Sequence, residues 1–213
     1  AAAFCSSGVV LCCHWRGAPM PLQGLNEVGC MDAFEQLVAT ILRRQGYWVH
    51  QSFKVELTKE EKREMRRPTS PRWELDLIAY KGGVNRIFVV ECKSYLDSAG
   101  LYSGHLVSGD RYKLFTDPKL REVVFSRLVN QLIEAGSCRP DPTVTLCLAA
   151  GHIHSERDRS EIRQIFAAKE WQLWDEGWLI GKLEEMNSAG YENDVAQVVV
   201  KLLSSEASAR TDN

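Results

Sequence analysis

The sequence predicts an α/β fold with a mixed central sheet of four or five strands, flanking helices and extra C-terminal helices. Three observations predict it. An amphipathic helix pattern opens the folded region, two apolar strands joined by a Gly-Gly turn follow, and a second helix leads into another apolar strand. The order helix, strand, strand, strand, helix, strand, then helices is typical of a sheet covered on both faces.

The first predicted elements are a helix over residues 31–45 and a strand over residues 47–57. Apolar residues recur at helical spacing in the first segment: Phe34, Leu37, Val38, Ile41 and Leu42. Asp32 and Glu35 resemble a capping box at its start, and Gly46 is a good helix stop. Residues 58–73 then predict an exposed loop or extended hairpin, because they are strongly charged and contain two prolines.

Two strands, residues 72–80 and 85–93, form the predicted hairpin. Residues 94–119 predict a loop over one end of the sheet. A helix at residues 120–135 and a buried strand at residues 143–150 follow. The rest is mostly helical, with a short strand candidate at residues 171–174 and helices at residues 159–169, 176–186 and 193–203.

These elements divide the chain into four regions. Residues 1–30 predict a poorly ordered or non-native extension, because their apolar stretch has no basic residues before it and is too short to span a membrane. Residues 31–150 form the core, and residues 151–205 a helical part packed on it. Residues 206–213 predict a polar tail. No segment predicts a membrane helix.

Composition limits the function classes. A net charge of −2 argues against a protein that binds nucleic acid through bulk charge, although it leaves room for a local basic groove. The seven cysteines are scattered and show no zinc-site spacing. An odd number of scattered cysteines suits a reducing compartment, so we expect a cytoplasmic location.

Opposite charges follow the apolar run at the end of the second hairpin strand. If the turn is centred between Gly83 and Val84, Asp76 lies opposite Glu91 and Glu74 lies opposite Lys93. The other face of the hairpin is then wholly apolar: Leu75, Leu77 and Ala79 face Cys92, Val90 and Phe88. A slip by one residue would disrupt this sorting.

Directly opposed residues have Cβ atoms roughly 5 Å apart, so the carboxylates of Asp76 and Glu91 would repel each other. Mg²⁺ would relieve this repulsion, since it binds oxygen ligands and often takes only one or two protein carboxylates. Lys93 lies on the same face, where it could orient a metal-bound water or stabilise charge developing on a phosphate.

An acidic residue on one strand, followed by Glu-x-Lys at the end of the next, resembles the PD-(D/E)xK nuclease superfamily, also called restriction-endonuclease-like. Here the motif is Asp76 with Glu91-Cys92-Lys93, and the resemblance covers residues 31–150. The element order also matches that superfamily's core. The chain departs from the pattern in one place, because Leu75 stands where the motif has proline.

The resemblance implies a restriction-endonuclease-like core and a nuclease that hydrolyses phosphodiester bonds, with DNA as the expected partner and Mg²⁺, or Mn²⁺ as substitute, as cofactor. It implies metal ligation by Asp76, Glu91 and the Cys92 carbonyl, and water positioning by Lys93. Glu35 is the matching candidate for an additional glutamate of the first helix, and the resemblance implies that it is a further catalytic residue and metal ligand. Gln131 matches a glutamine that some members carry on a later helix.

The resemblance also implies that basic residues between the first two strands could hold phosphates: Lys59, Lys62, Arg63, Arg66, Arg67 and Arg72. The sequence does not fix the oligomeric state, although paired cleavage of two strands often calls for a homodimer.

Simpler interpretations remain open. The chain could be a catalytically inactive module of this fold that binds nucleic acid or a protein partner. Its acid–base motif could be a strand-end ion pair, Glu35 a capping residue, Gln131 a solvated side chain, and the basic segment a solvated loop.

Overall fold

The computed structural model describes residues 32–65, 72–108, 111–190 and 194–211, with side chains described as far as residue 204. They belong to one compact unit, Met31–Asn213. The predicted extension over residues 1–30 lies outside the described residues. So do Arg66 and Arg67.

The described residues form a mixed α/β arrangement, as predicted. The strands are β1 (Trp48–Val55), β2 (Trp73–Lys81), β3 (Arg86–Lys93), β4 (Thr143–Ala150) and β5 (Gln172–Trp174). The helices are α1 (Ala33–Arg44), α2 (Lys59–Glu64), α3 (Gly104–Val107), α4 (Lys113–Thr116), α5 (Pro118–Glu134), α6 (Glu156–Ala168), α7 (Glu176–Ser188) and α8 (Val195–Thr211). Helix α8 continues into the residues predicted as a polar tail.

The strands lie in one five-stranded sheet in the order β1-β2-β3-β4-β5. The first three strands are antiparallel, and β3, β4 and β5 are parallel. The carboxyl ends of β3 and β4 therefore lie at the same edge of the sheet, where binding sites of open α/β sheets are usually built. That edge carries the predicted motif.

A hydrophobic core lies on each face of the sheet. On one face, α1 and α7 pack on Leu77, Val90 and Cys92. On the other face, α5 and α6 pack on Ile78, Val89 and other apolar residues. Both sides of β3 are thus buried, which explains its unbroken apolar run before the motif. Among the described residues, no helix is long and apolar enough to cross a membrane.

The predicted hairpin register is confirmed where the strands pair. Leu77 pairs with Val90, Ile78 with Val89, and Ala79 with Phe88. The connection is a short 3-10 turn over Gly82–Val84, closed by Asn85 in the left-handed conformation.

The prediction that Leu75 lies on the same face of the sheet as Leu77 is wrong. Leu75 packs in the core that contains Ile78, on the opposite face. The alternation of faces is interrupted between Leu75 and Leu77. There Ser52 of β1 has a φ of 50°, and Asp76, which would lie opposite it, is absent from the pairing on both sides of β2.

Two stretches predicted as loops contain helices. Helix α2 begins at a complete capping box, in which Thr58 and Glu61 each bond the other's main-chain N–H. Helices α3 and α4 lie in the predicted loop over residues 94–119, and each has only four residues. Such short helices give no readable periodicity, whereas the Thr-x-x-Glu signal of α2 was present in the sequence.

Candidate functional site

The candidate site lies where β2 leaves β3. Regular pairing of the two strands ends at Leu77 and Val90, one position before Asp76 and Glu91 would face each other. From there the Asp76 side chain replaces main-chain pairing, because its Oδ2 accepts a hydrogen bond of 2.8 Å from the Cys92 N–H. Asp76 is therefore held in place by the strand that carries the motif.

Lys93 joins the two acids of the motif. Its Nζ lies 2.8 Å from Oε1 of Glu91 and 3.3 Å from Oδ2 of Asp76. The side chains of Asp76, Glu91 and Lys93 are 22%, 20% and 31% exposed, respectively, so the group is partly buried but open to solvent. The structure thus brings together the three residues on which the sequence prediction rests.

The electrostatics show more negative charge than Lys93 balances. Burial, and then repulsion by Asp76, raises the pKa of Glu91 despite its contact with Lys93. Burial alone would lower the pKa of Lys93, but the adjacent Glu91 and Asp76 carboxylates outweigh it and raise that pKa. Lys93 therefore stays protonated, and the site favours a further positive charge.

Glu35 of α1 belongs to the same electrostatic group. Burial, and then the Asp76 carboxylate, raises the pKa of Glu35 to about 7. Asp32 caps the helix by accepting from the Phe34 and Glu35 N–H groups at 2.7 and 3.2 Å. The capping-box interpretation of Glu35 lacks its second half, since no bond from the Asp32 N–H to the Glu35 side chain occurs among the described contacts. The Glu35 carboxyl therefore remains a candidate member of the site.

The Cys92 main chain also faces the candidate site. The N–H and C=O of a strand residue point to the same neighbouring strand. Because the Cys92 N–H bonds Asp76, its carbonyl also points toward the β2 side. Its thiol is buried in the core under α1, and this burial raises the pKa of the thiol. Only the carbonyl could serve as a ligand.

Gln131 makes contacts that give it a structural role. Its Oε1 accepts from the Glu56 N–H at 2.8 Å, and its Nε2 donates to the Lys54 carbonyl at 3.5 Å. It thereby ties α5 to the end of β1. No described contact joins it to the motif acids, and its catalytic assignment stays a prediction.

Of the candidate phosphate-binding residues that the structure describes, Lys59, Arg63 and Arg72 are exposed and Lys62 is half-buried. Lys59, Lys62 and Arg63 lie on α2, and Arg72 contacts Glu56 at 3.4 Å. The acidic residues of α2 are partly engaged, since Glu61 closes the capping box and Glu64 contacts Lys119. Contact of these basic residues with nucleic acid stays a prediction.

The carboxylate and carbonyl oxygens of the site are donor atoms of the type that divalent metal ions such as Mg²⁺ bind. Among the described residues, no group of three or more His, Cys, Asp or Glu side chains is arranged to hold a metal. Mg²⁺ needs fewer protein ligands, since waters complete its shell. No described residue donates to Asp76 Oδ1 or Glu91 Oε2. These two oxygens, next to an excess of negative charge, suit a small cation.

Sequence reasoning missed two tyrosines beside the motif. Tyr95 lies two residues after Lys93 with a φ of 50°, and its hydroxyl bonds that of the buried Tyr112. Non-glycine residues rarely adopt this conformation, which costs free energy and often occurs at functional sites. Both tyrosines lie in the predicted loop, where no pattern in the sequence links them.

Comparison with known proteins gives no family for the chain. No protein-family model matches it, and no curated protein matches it. A crystal structure of a protein of unknown function, AF1548, aligns with a TM-score of 0.35 and 13% sequence identity. The alignment covers 79% of this chain and 77% of the other.

Proposed function

We propose that the chain is a metal-dependent nuclease that hydrolyses phosphodiester bonds, with DNA as the expected substrate. The observation that carries this proposal is the convergence of Asp76, Glu91 and Lys93 at the point where β2 leaves β3. A cluster with one more acid than base, at the carboxyl edge of a parallel strand pair, matches the needs of a phosphate-cleaving site.

Each residue has a distinct role in the proposed reaction. Asp76 and Glu91 would hold Mg²⁺ or Mn²⁺, with the Cys92 carbonyl as a third protein ligand. The ion, when bound, would lower the pKa of a water molecule so that it can attack phosphorus. Lys93 would orient that water and stabilise negative charge on the phosphate. Glu35, with a pKa of about 7, could accept a proton near neutral pH.

One observation favours the second candidate, a catalytically inactive module of the same fold that binds nucleic acid or a protein partner. Lys93 already bridges both carboxylates, as a purely structural ion pair would. In that case the cluster would fasten β2 to β3 and no metal would bind. The excess negative charge argues for the enzyme, because a structural pair gains nothing from Glu35 beside it.

A cleavage assay separates the two candidates. The purified chain is incubated with circular, linear, branched and single-stranded DNA and with RNA, in Mg²⁺, Mn²⁺, Ca²⁺ or a chelator. The nuclease proposal expects cleavage in Mg²⁺ or Mn²⁺, little in Ca²⁺ and none in chelator. Glu91→Gln and exposed Glu134→Gln, purified in parallel, control for contaminating nucleases. Equal cleavage by wild type and Glu91→Gln would reject the assignment.

Two further properties belong to the proposal. We expect a cytoplasmic location, since the described cysteines Cys92, Cys138 and Cys147 are all free thiols. We also expect a homodimer if the substrate is a duplex cut on both strands. Cell fractionation and light scattering test these two expectations.

A further inference from the structure

An exposed pair of stacked rings lies outside both hydrophobic cores. The ring centroids of Tyr102 and His154 are 4.1 Å apart, with an angle of 30° between the planes. Both residues are exposed, Tyr102 by 37%. We call these two residues the aromatic platform. Exposed rings contribute little to a core, so their ordered stacking calls for another explanation.

The main chain holds the aromatic platform rigidly. Tyr102 lies between Leu101 and Ser103, which are both buried. Leu101 exchanges main-chain hydrogen bonds of 3.1 Å with His152 and His154. Ser103 donates to Asp158 Oδ1 through its N–H at 2.8 Å, and its hydroxyl lies 2.6 Å from Glu161 Oε2 and 3.0 Å from Asp158 Oδ1. Because the main chain on both sides of Tyr102 is fixed, the segment that carries the ring loses little entropy when it binds a ligand.

The His154 ring is fixed as well. Its Nδ1 lies 2.8 Å from the Ala99 carbonyl, which can only accept, so Nδ1 carries the hydrogen. Gly100 makes this packing possible. It has a φ of 89°, and a Cβ at this position would lie 2.7 Å from the main-chain nitrogen of His154. Every larger residue at position 100 would push the loop away from His154.

The aromatic platform lies at the same edge of the sheet as the motif. Lys93 pairs with Ala150, and the Gly151 N–H donates to the Lys93 carbonyl at 2.9 Å. His154 is three residues further along. A second connection runs through rings, because His105 lies 5.5 Å from Tyr102 and 6.5 Å from Tyr112, by ring centroids. Tyr112 in turn bonds Tyr95, next to the motif.

We propose that the aromatic platform stacks an unpaired base of a nucleic acid whose backbone lies across the motif. This inference rests on the proposed nuclease function and specifies its substrate class: a single strand, or a duplex with an unpaired nucleotide beside the scissile phosphate. Aromatic rings bind bases of any sequence, because every base has a π-face, and base pairs in an intact duplex do not offer that face. The platform therefore selects by strandedness and not by sequence.

The test is a binding measurement in chelator, where no cleavage occurs. Fluorescence anisotropy is recorded with a labelled oligothymidine of roughly 12 nucleotides and with a blunt duplex of the same length. We expect Tyr102→Ala to weaken single-strand binding about 5- to 100-fold and duplex binding less than about twofold. Tyr102→Phe keeps the ring and should bind like wild type. Trp48→Ala, at an exposed ring on β1, is the matched control.

His154→Ala and His154→Phe repeat the comparison at the second ring, with thermal melts to show that all variants fold. Equal single-strand binding by wild type and Tyr102→Ala overturns the inference, as does an equal loss for Tyr102→Phe. Absence of single-strand binding by wild type also overturns it. These outcomes are separate from the cleavage assay. A chain that binds through Tyr102 but never cleaves keeps the platform and loses the nuclease proposal.

Discussion

Lys93 Nζ lies 2.8 Å from Oε1 of Glu91, yet the pKa of Glu91 is raised. A neighbouring ammonium ordinarily lowers the pKa of a carboxyl group. Here burial and the Asp76 carboxylate outweigh Lys93. Lys93 therefore does not neutralise both carboxylates, and the remaining negative charge is the physical reason to expect a cation at the site.

Glu91→Gln should separate metal binding from fold stability. Gln keeps an oxygen that can accept from Lys93, and it removes a charge that burial disfavours. We expect a melting temperature in chelator equal to or above that of wild type. Mg²⁺ or Mn²⁺ should raise the melting temperature of wild type but not of the variant, because ligand binding to the folded state stabilises it. Differential scanning fluorimetry measures both quantities.

The exposed Glu134→Gln serves as the control and should keep the full metal response. A metal response in Glu91→Gln equal to that of wild type would show that the ion binds elsewhere or not at all.

Lys93→Met should change stability and the response to metal in the opposite direction from Glu91→Gln. Without the ammonium, Asp76 and Glu91 repel each other in a partly buried site, so we expect a loss of about 1–3 kcal/mol in unfolding free energy in chelator. Mg²⁺ should bind and restore more stability than it gives wild type. Cleavage should fall about 10²–10³-fold, the usual cost of losing a group that stabilises transition-state charge. Urea denaturation with and without Mg²⁺, together with the cleavage rate, checks this.

Lys169→Met, at the exposed end of α6, is the matched control and should change neither quantity. If Lys93→Met cleaves at the wild-type rate, Lys93 is only a structural partner of the two acids.

Asp76 should stabilise the fold as well as bind the metal ion. Its Oδ2 satisfies the Cys92 N–H where pairing of β2 with β3 has ended. Asp76→Ala leaves that buried N–H without its partner and should cost about 1–3 kcal/mol of unfolding free energy. Asp76→Asn keeps an acceptor and should cost less, although it should abolish metal binding as fully as Ala does. Amide exchange at Cys92 reports the bond directly. Equal exchange rates in both variants would contradict this role.

The hairpin was predictable because independent signals agree. The Gly-Gly turn marks the hairpin, and a centre assumed between Gly83 and Val84 pairs Leu77 with Val90 and Ala79 with Phe88, as the structure does. The break at Asp76 was not predictable in the same way. It coincides with the positive φ of Ser52, a residue type with no strong preference for that conformation, in a different strand. The sequence thus predicts that Asp76, Glu91 and Lys93 meet, but not that Asp76 interrupts the sheet. The predicted opposition of Glu74 and Lys93 is wrong, because Glu74 pairs with Lys54 of β1 and pairing with β3 has already ended.

The surroundings of the motif were harder to predict. Glu35 could be placed beside the buried stripe of α1 from helical spacing alone, and its electrostatic contact with Asp76 follows from packing of α1 on the sheet. Tyr95 and Tyr112 meet through a loop with two four-residue helices, and no local pattern encodes that contact. Side chains brought together by a folded loop are the part of the site that sequence patterns leave open.

Helix α2 should contribute to the affinity for nucleic acid through charge. Lys59 and Arg63 are exposed and four residues apart, so they share one face of the helix. If both contact phosphates, the Lys59→Gln, Arg63→Gln double variant should reduce the slope of log K against log salt by about 2, with equal effect on all sequences. Binding at several salt concentrations measures the slope. The variant Lys169→Gln should leave it unchanged, and an unchanged slope in the double variant would make α2 an ordinary solvated helix.

Glu35 should make stability depend on pH near neutrality. Its pKa is about 7 in the folded chain, against an ordinary value of 4.5. Between these values the folded state holds a proton that the unfolded state has released, so stability is full below pH 4.5 and falls as pH rises through 7. Glu35→Gln is neutral at every pH. It should match wild type at low pH and exceed it above neutrality by about 1 kcal/mol, a figure reduced for solvent screening.

The same charge should respond to metal. Mg²⁺ beside Asp76 favours the ionised form of Glu35 and lowers its pKa, so at pH 8 the ion should stabilise wild type more than Glu35→Gln. Urea denaturation at several pH values between 4 and 9, with and without Mg²⁺, tests both expectations, and exposed Glu134→Gln, which keeps Glu35, should follow the pH dependence of wild type. A difference between wild type and Glu35→Gln that stays constant across pH would place Glu35 outside the charged cluster. It would then be a helix-surface residue, and the candidate site would consist of the hairpin residues alone.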